Sequence, residues 1–208
     1  FSDGKLKWLS KLLRGNWWVF PILKKAEHWV ENYVEASALG DLGIDALVGR
    51  SFLGKKEKYD IHFVPNKKFF VICGKGRQIE YGFQTIENIA HELPWITFVL
   101  YGDEWETKHS NVIVRGRVTK EQFNEEIKEM HGSIRLNEFD GASEIMIKSI
   151  LMGQYPISRI RYPGVANYKN DLELILELNK ASKKTEPNVE RNYYLKTLNE
   201  FPWNIKNN

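Results

Sequence analysis

The hydrophobic pattern of this 208-residue chain changes period twice, from helical to extended and back to helical. Over the first 50 residues, apolar positions recur every three or four. Ser2 is placed to N-cap a helix carrying Leu6, Leu9, Leu12 and Leu13 on one stripe, which Gly15 can close. A second helix is expected from Pro21, whose missing N–H is not needed in a first turn. It would run through Ile22, Ala26, Trp29, Val30, Tyr33 and Val34 and end before Gly40. A third, short helix is expected around Ile44, Leu47 and Val48.

From Tyr59 the pattern becomes extended. Residues 59–64 and 69–73 are apolar and rich in β-formers, and Pro65, Asn66, Lys67 and Lys68 between them read as a hairpin turn. A further strand is expected at 78–83, then a helix over 85–93 stopped by Pro94, and strands at 95–101 and 111–118. In the last of these, Val112, Val114 and Val118 point one way and Ile113, Arg115 and Arg117 the other, so one sheet face is expected to be wet or covered by a partner.

Thr119 and Gln122 fit a capping box, which opens a helix with Phe123, Ile127 and Met130 on one face, ending at Gly132. After a short extended segment at 133–136, Asp140 is placed to cap a helix bearing Ile145, Ile147, Ile150 and Leu151. Asn170 and Glu173 make a second capping box, ahead of Leu172, Leu174, Ile175, Leu176 and Leu178. The polar run 182–187 reads as a linker before a final helix over about 188–200.

Helices, then strands, then helices predict one α+β domain over residues 1–208. Its mainly antiparallel central sheet is expected at about 57–137, in part ferredoxin-like, flanked by helical segments at about 1–50 and 140–208.

Composition narrows the class. The 7 Trp, 9 Tyr and 11 Phe are enough for a large core without disulfides. The single cysteine, Cys73, suits a reducing compartment, so a cytoplasmic location is expected. No run approaches the roughly 18 apolar residues of a membrane span. The chain opens on Phe1 rather than a methionine, which leaves open what precedes it. Charge is uneven. Residues 1–80 carry 14 cations against 9 carboxylates, residues 81–150 carry 7 against 12, and residues 151–208 carry 9 against 6. Such segments either neutralise one another or steer an acidic partner to one face.

Candidate chemistry is sparse. Gly74, Lys75 and Gly76 follow a strand, and with Arg77 they form a turn of the kind that holds phosphate through backbone N–H groups. No nucleotide-loop, zinc or nucleophile motif occurs, and no metal or cofactor is implied. Asp60 and His62, two residues apart in an expected strand, have the spacing of an acid–base pair. In the polar loop 102–110, Glu106 and Lys108 match the last part of a metal-dependent nuclease pattern. Lysines interleaved with Trp8, Trp17 and Trp18, the turn lysines Lys67 and Lys68, and the sheet pair Arg115 and Arg117 suit a polyanion-binding surface.

The reading these features support is a non-catalytic macromolecule-binding protein, of accessory, inhibitor or immunity-like type. Its binding residues would be Lys67, Lys68, Lys75, Arg77, Arg115 and Arg117. Its partner would be protein or nucleic acid, with no small-molecule ligand implied. The alternatives are a nuclease-like enzyme using Asp60, His62, Glu106 and Lys108, or a structural subunit of a larger assembly.

Overall fold

The computed structural model describes residues 19–138 and 140–200. The chain divides into two units, residues 1–51 with 199–208, and residues 52–198.

In the first unit, α1 (Phe20–Leu23) precedes β1 (His28–Val30), which pairs in parallel with β2 (Ala46–Val48) around α2 (Tyr33–Gly40). The expected long helix over 22–40 is therefore broken. Its middle, His-Trp-Val, is strand, and Asn32 starts a new helix by accepting from Val34 N and Glu35 N at 2.9 and 3.0 Å. The third expected helix is β2, because Ala46, Leu47 and Val48 find partners in β1. The expected helix over 2–15 lies outside the described residues.

The second unit holds a six-stranded sheet in which every pairing is parallel. In chain order its elements are β3 (Lys68–Ile72), α3 (Phe83–Ile89), β4 (Thr97–Tyr101), β5 (Val112–Gly116), α4 (Lys120–Glu126) and β6 (Gly132–Arg135). They continue with α5 (Glu144–Leu151), β7 (Ile157–Ser158), β8 (Ala166–Asn167), α6 (Asp171–Ala181) and α7 (Arg191–Thr197). The strand order is β5-β4-β3-β6-β7-β8.

Both faces of the sheet are covered. On one, Phe69 and Val71 of β3 and Phe98 and Leu100 of β4 pack with Phe83, Ile86 and Ile89 of α3 and Leu174 and Leu178 of α6. On the other, Phe70, Val99 and Tyr101 pack with Phe123 of α4, Ile127, Ile145 of α5 and Met152. This corrects the expected antiparallel α+β sheet. Runs such as 69–73 and 98–101 are apolar at every position because a parallel strand is buried on both sides. The exposed arginines of residues 111–118 have a different cause. β5 is an edge strand; Val112 packs into the core on the α3 side, while Ile113 and Arg115, on the opposite face, are exposed at the margin of the sheet.

The expected hairpin is absent. Residues 59–64 form no strand; their main chain is held instead by His62 N donating to Met152 O (2.8 Å) and by Gln154 Nε2 donating to His62 O (3.1 Å). Residues 78–82 are turn rather than strand, and Phe83 already belongs to α3. They close at Gly82, which has a φ of +83° and where any Cβ would collide with the Leu136 side chain; both features require glycine. Locally specified starts do form. The Thr119–Gln122 capping box is complete, and Asn170 Oδ1 accepts from Glu173 N at 3.0 Å. Ser143, not Asp140, caps α5; Asp140 instead pairs with Arg135 at 2.7 Å.

Candidate functional site

In this strand order the first strand of the unit, β3, lies beside the fourth, β6, so successive connections leave in opposite directions from that point. In open parallel sheets of this kind, ligands bind beyond the carboxyl ends of the strands near such a reversal. The ends of β3, β4 and β5 are tied together there: Cys73 N donates to Tyr101 O at 3.0 Å, and Gly102 N donates to Gly116 O at 2.7 Å. Gly102 has a φ of +104°, and a Cβ on it would lie 1.9 Å from Cys73 O, so no other residue fits without moving backbone.

Beyond these ends is a cleft of about 460 Å³. Ile72, Cys73, Tyr101 and Gly102 form its floor. Arg117, Thr119, Lys120, Phe123 and Asn124 form the wall at the start of α4, and Glu144, Ile145 and Lys148 form the wall on α5. Lys75 stands at the rim. Four cations thus face one carboxylate. Lys75, Arg117 and Lys120 are exposed and make no ion pair among the described residues, whereas Lys148 is buried and pairs with Glu144 at 3.0 Å.

The surrounding groups fix the floor. Burial, then Glu126, pushes the Tyr101 hydroxyl well above its ordinary pKa, so it stays protonated and donates to Glu126 Oε2 at 2.7 Å. Burial, then the Asp103 charge, raises the Cys73 thiol, with Arg117 opposing, so it is not an activated thiolate. Asp103 ties the β3 and β4 loops together, accepting from Gly76 N (2.7 Å), Gln78 Nε2 (2.9 Å) and Glu104 N (3.1 Å). The Gly76 bond, then the Glu104 bond, holds its carboxyl below the usual range.

The sequence candidates are distributed unevenly around this cleft. Lys75 and Arg117 come together at it. Arg77 turns aside to Glu80 (2.7 Å) and lies over the Tyr81 ring. Arg115 is taken by Glu126 at 3.0 Å. Lys67 and Lys68 lie at the opposite, amino end of β3, so they share no surface with Arg115 and Arg117 at the carboxyl end of β5. In the Gly74–Gly76 turn, the Gly76 amide that would meet a phosphate is already bonded to Asp103.

The nuclease-type residues form no single centre. His62 adjoins the end of α5 through its main-chain bond to Met152, with Asp60 two residues before it in the chain. Glu106 and Lys108 belong to a loop fixed to α3 by Glu87, whose Oε1 accepts from Lys108 N at 3.1 Å and lies 3.5 Å from His109 Nε2. Those two helices cover opposite faces of the sheet. Among the described residues, no three His, Cys, Asp or Glu side chains are grouped to hold a metal ion. Lys120, Glu144 and Lys148 were not singled out in the sequence. The signal for Lys148 was there, a lysine at an otherwise apolar position between Ile147 and Ile150.

No family model matches the sequence, and no curated protein matches it. Solved structures do match by fold. A lipopolysaccharide outer core galactosyltransferase, WaaB in its apo form, superposes with a TM-score of 0.66 at 13% identity, over 83% of this chain and 58% of that one. TarM superposes at 0.53 and 14% identity, over 90% of this chain and 46% of that one. The GtfA/B complex superposes at 0.57 and 9% identity, over 86% and 43%. A mutant of S. aureus TarM, at 0.52, was solved with UDP, fondaparinux and α-GlcNAc-glycerol. The chain spans about half the length of these structures. They run against the expected non-catalytic binding, inhibitor or immunity-like role, because the fold is one met in glycosyltransferase structures. By fold, then, this chain resembles the parallel-sheet, Rossmann-like part of glycosyltransferase structures.

Proposed function

We propose that residues 52–198 are the donor-binding part of a glycosyltransferase and take a nucleoside diphosphate sugar in the cleft. The observation that carries this reading is the placement of Lys75, Arg117, Lys120 and Lys148 around one cleft at the carboxyl ends of β3 and β4. The fold likeness to WaaB and TarM supports it. Transfer of a sugar breaks the bond between its anomeric carbon and the diphosphate oxygen and forms one to the oxygen of an acceptor hydroxyl, whose proton is released to solvent or to the leaving group, so negative charge develops on the leaving phosphate. Fixed cations beside that oxygen lower the barrier. Lys75 and Arg117 have this role in the proposal, above a floor formed by Ile72 and Tyr101. A small-molecule ligand thus replaces the macromolecular partner expected from the sequence. A protein partner remains compatible, since one fold neighbour was solved as a complex.

Calorimetric titration of the full chain with UDP, GDP, CDP and ADP tests the reading. One of them should bind saturably, and Lys75→Ala or Arg117→Ala should weaken it by roughly tenfold, the worth of a hydrogen bond to a charged group. Absence of binding by all four to the folded chain would overturn it.

A further inference from the structure

Lys148 is an unusual residue for its helix. α5 buries Met146, Ile147, Ile150 and Leu151, and Lys148 shares that burial, its side chain only 8% exposed, while lining the cleft. An ammonium so enclosed needs a counter-charge, because an unpaired buried cation is strongly disfavoured. Among the described residues its one ion pair is with Glu144, a turn earlier on the same helix. Glu144 is bound far less firmly. Its side chain is 49% exposed and makes no other hydrogen bond or ion pair among the described residues. The exposed Glu144 carboxylate can be solvated once it leaves, but the enclosed Lys148 cannot follow it, so the exchange is favourable only when another anion takes its place on Lys148.

We propose that Glu144 is an exchangeable counter-ion, which an acidic ligand replaces on Lys148. The ligand's phosphates are then gripped from both walls, by Lys148 on α5 and by Arg117 and Lys120 at the start of α4. The identification of the ligand as a nucleoside diphosphate rests on the reading above; the exchange itself requires only an anion. Glu144 also sets selectivity. A neutral nucleoside cannot displace it, whereas a diphosphate brings more charge than it removes.

The test compares wild type, Glu144→Gln and Lys148→Met in the full chain, with UDP, inorganic pyrophosphate and uridine as probes. Glu144→Gln keeps a polar group of the same size but removes the competing charge. It should bind UDP and pyrophosphate about tenfold more tightly than wild type, with uridine unchanged. Lys148→Met keeps the volume and should bind both anions roughly tenfold more weakly. Should Glu144→Gln fold poorly, Glu144→Ala replaces it in the same comparison. Unchanged or weaker anion binding by the Glu144 variant overturns the proposal, even if wild type binds UDP; the nucleotide reading would then stand alone. Tighter pyrophosphate binding in a chain that binds no nucleoside diphosphate would have the reverse meaning. The counter-ion exchange would stand, and the nucleotide reading would fall.

Discussion

Replacing Gly102 by alanine tests the close approach on which the cleft floor depends. Two costs arise. At a φ of +104° any L side chain is strained, by about 1–2 kcal/mol. The new Cβ would also lie 1.9 Å from Cys73 O, so the main chain of β3 or β4 must shift, and overpacking of this kind costs about 1–3 kcal/mol. Gly76→Ala separates the two. Gly76 also has a positive φ, +70°, but nothing lies within 4 Å of its Cβ position. The control therefore carries the conformational strain without the clash. Urea unfolding followed by circular dichroism should show Gly76→Ala destabilised by about 1–2 kcal/mol. Gly102→Ala should lose a further 1–3 kcal/mol, on the order of the clash alone. Equal losses in the two variants would refute the reasoning, by showing that the ends of β3 and β4 are not held at the distance described.

Two further outcomes follow from buried polar groups. His131 is fully buried, and its Nε2–H donates to Ala181 O at 2.8 Å; burial, countered in part by that bond, lowers its pKa from 6.5. The folded state thus binds its proton less readily than the unfolded state. Stability from this group is complete above pH 6.5 and is lost as pH falls from there toward the folded pKa, at up to about 1.4 kcal/mol per pH unit; urea midpoints at pH 7.5 and 5.5 measure it, and the difference should shrink in His131→Gln. Gln154 is also fully buried, accepting from Ser149 Oγ at 2.9 Å and donating to His62 O and Ile127 O. Gln154→Leu orphans all three and should cost on the order of 3 kcal/mol in the same unfolding assay.

What the sequence revealed depended on how local the determining contacts are. The Thr119–Gln122 box and the Asn170 cap were legible because donor and acceptor lie three residues apart. Strand direction was not, because β3 pairs with β4 about 30 residues on and with β6 about 60 residues on, and no local signal records either pairing. The clue available was the lack of alternation in 69–73. Residues 59–64 misled in the opposite sense: they have strand composition, yet their main-chain groups are satisfied by Met152 and Gln154. At the cleft, Lys75 and Arg117 could be found because each lies near the end of a recognisable strand. Lys148 escaped because a lysine on an amphipathic helix is ordinarily solvated, and only the packing of α5 shows this one enclosed.

The most direct measurement of the central claim is hydrogen exchange of the full chain with and without a saturating nucleoside diphosphate. Slowed exchange should be confined to residues 73–77, 101–103, 117–124 and 144–148, the segments that bound the cleft. Protection centred on Lys67 and Lys68 at the opposite end of β3, or no protection at the carboxyl ends of the strands, would contradict the account.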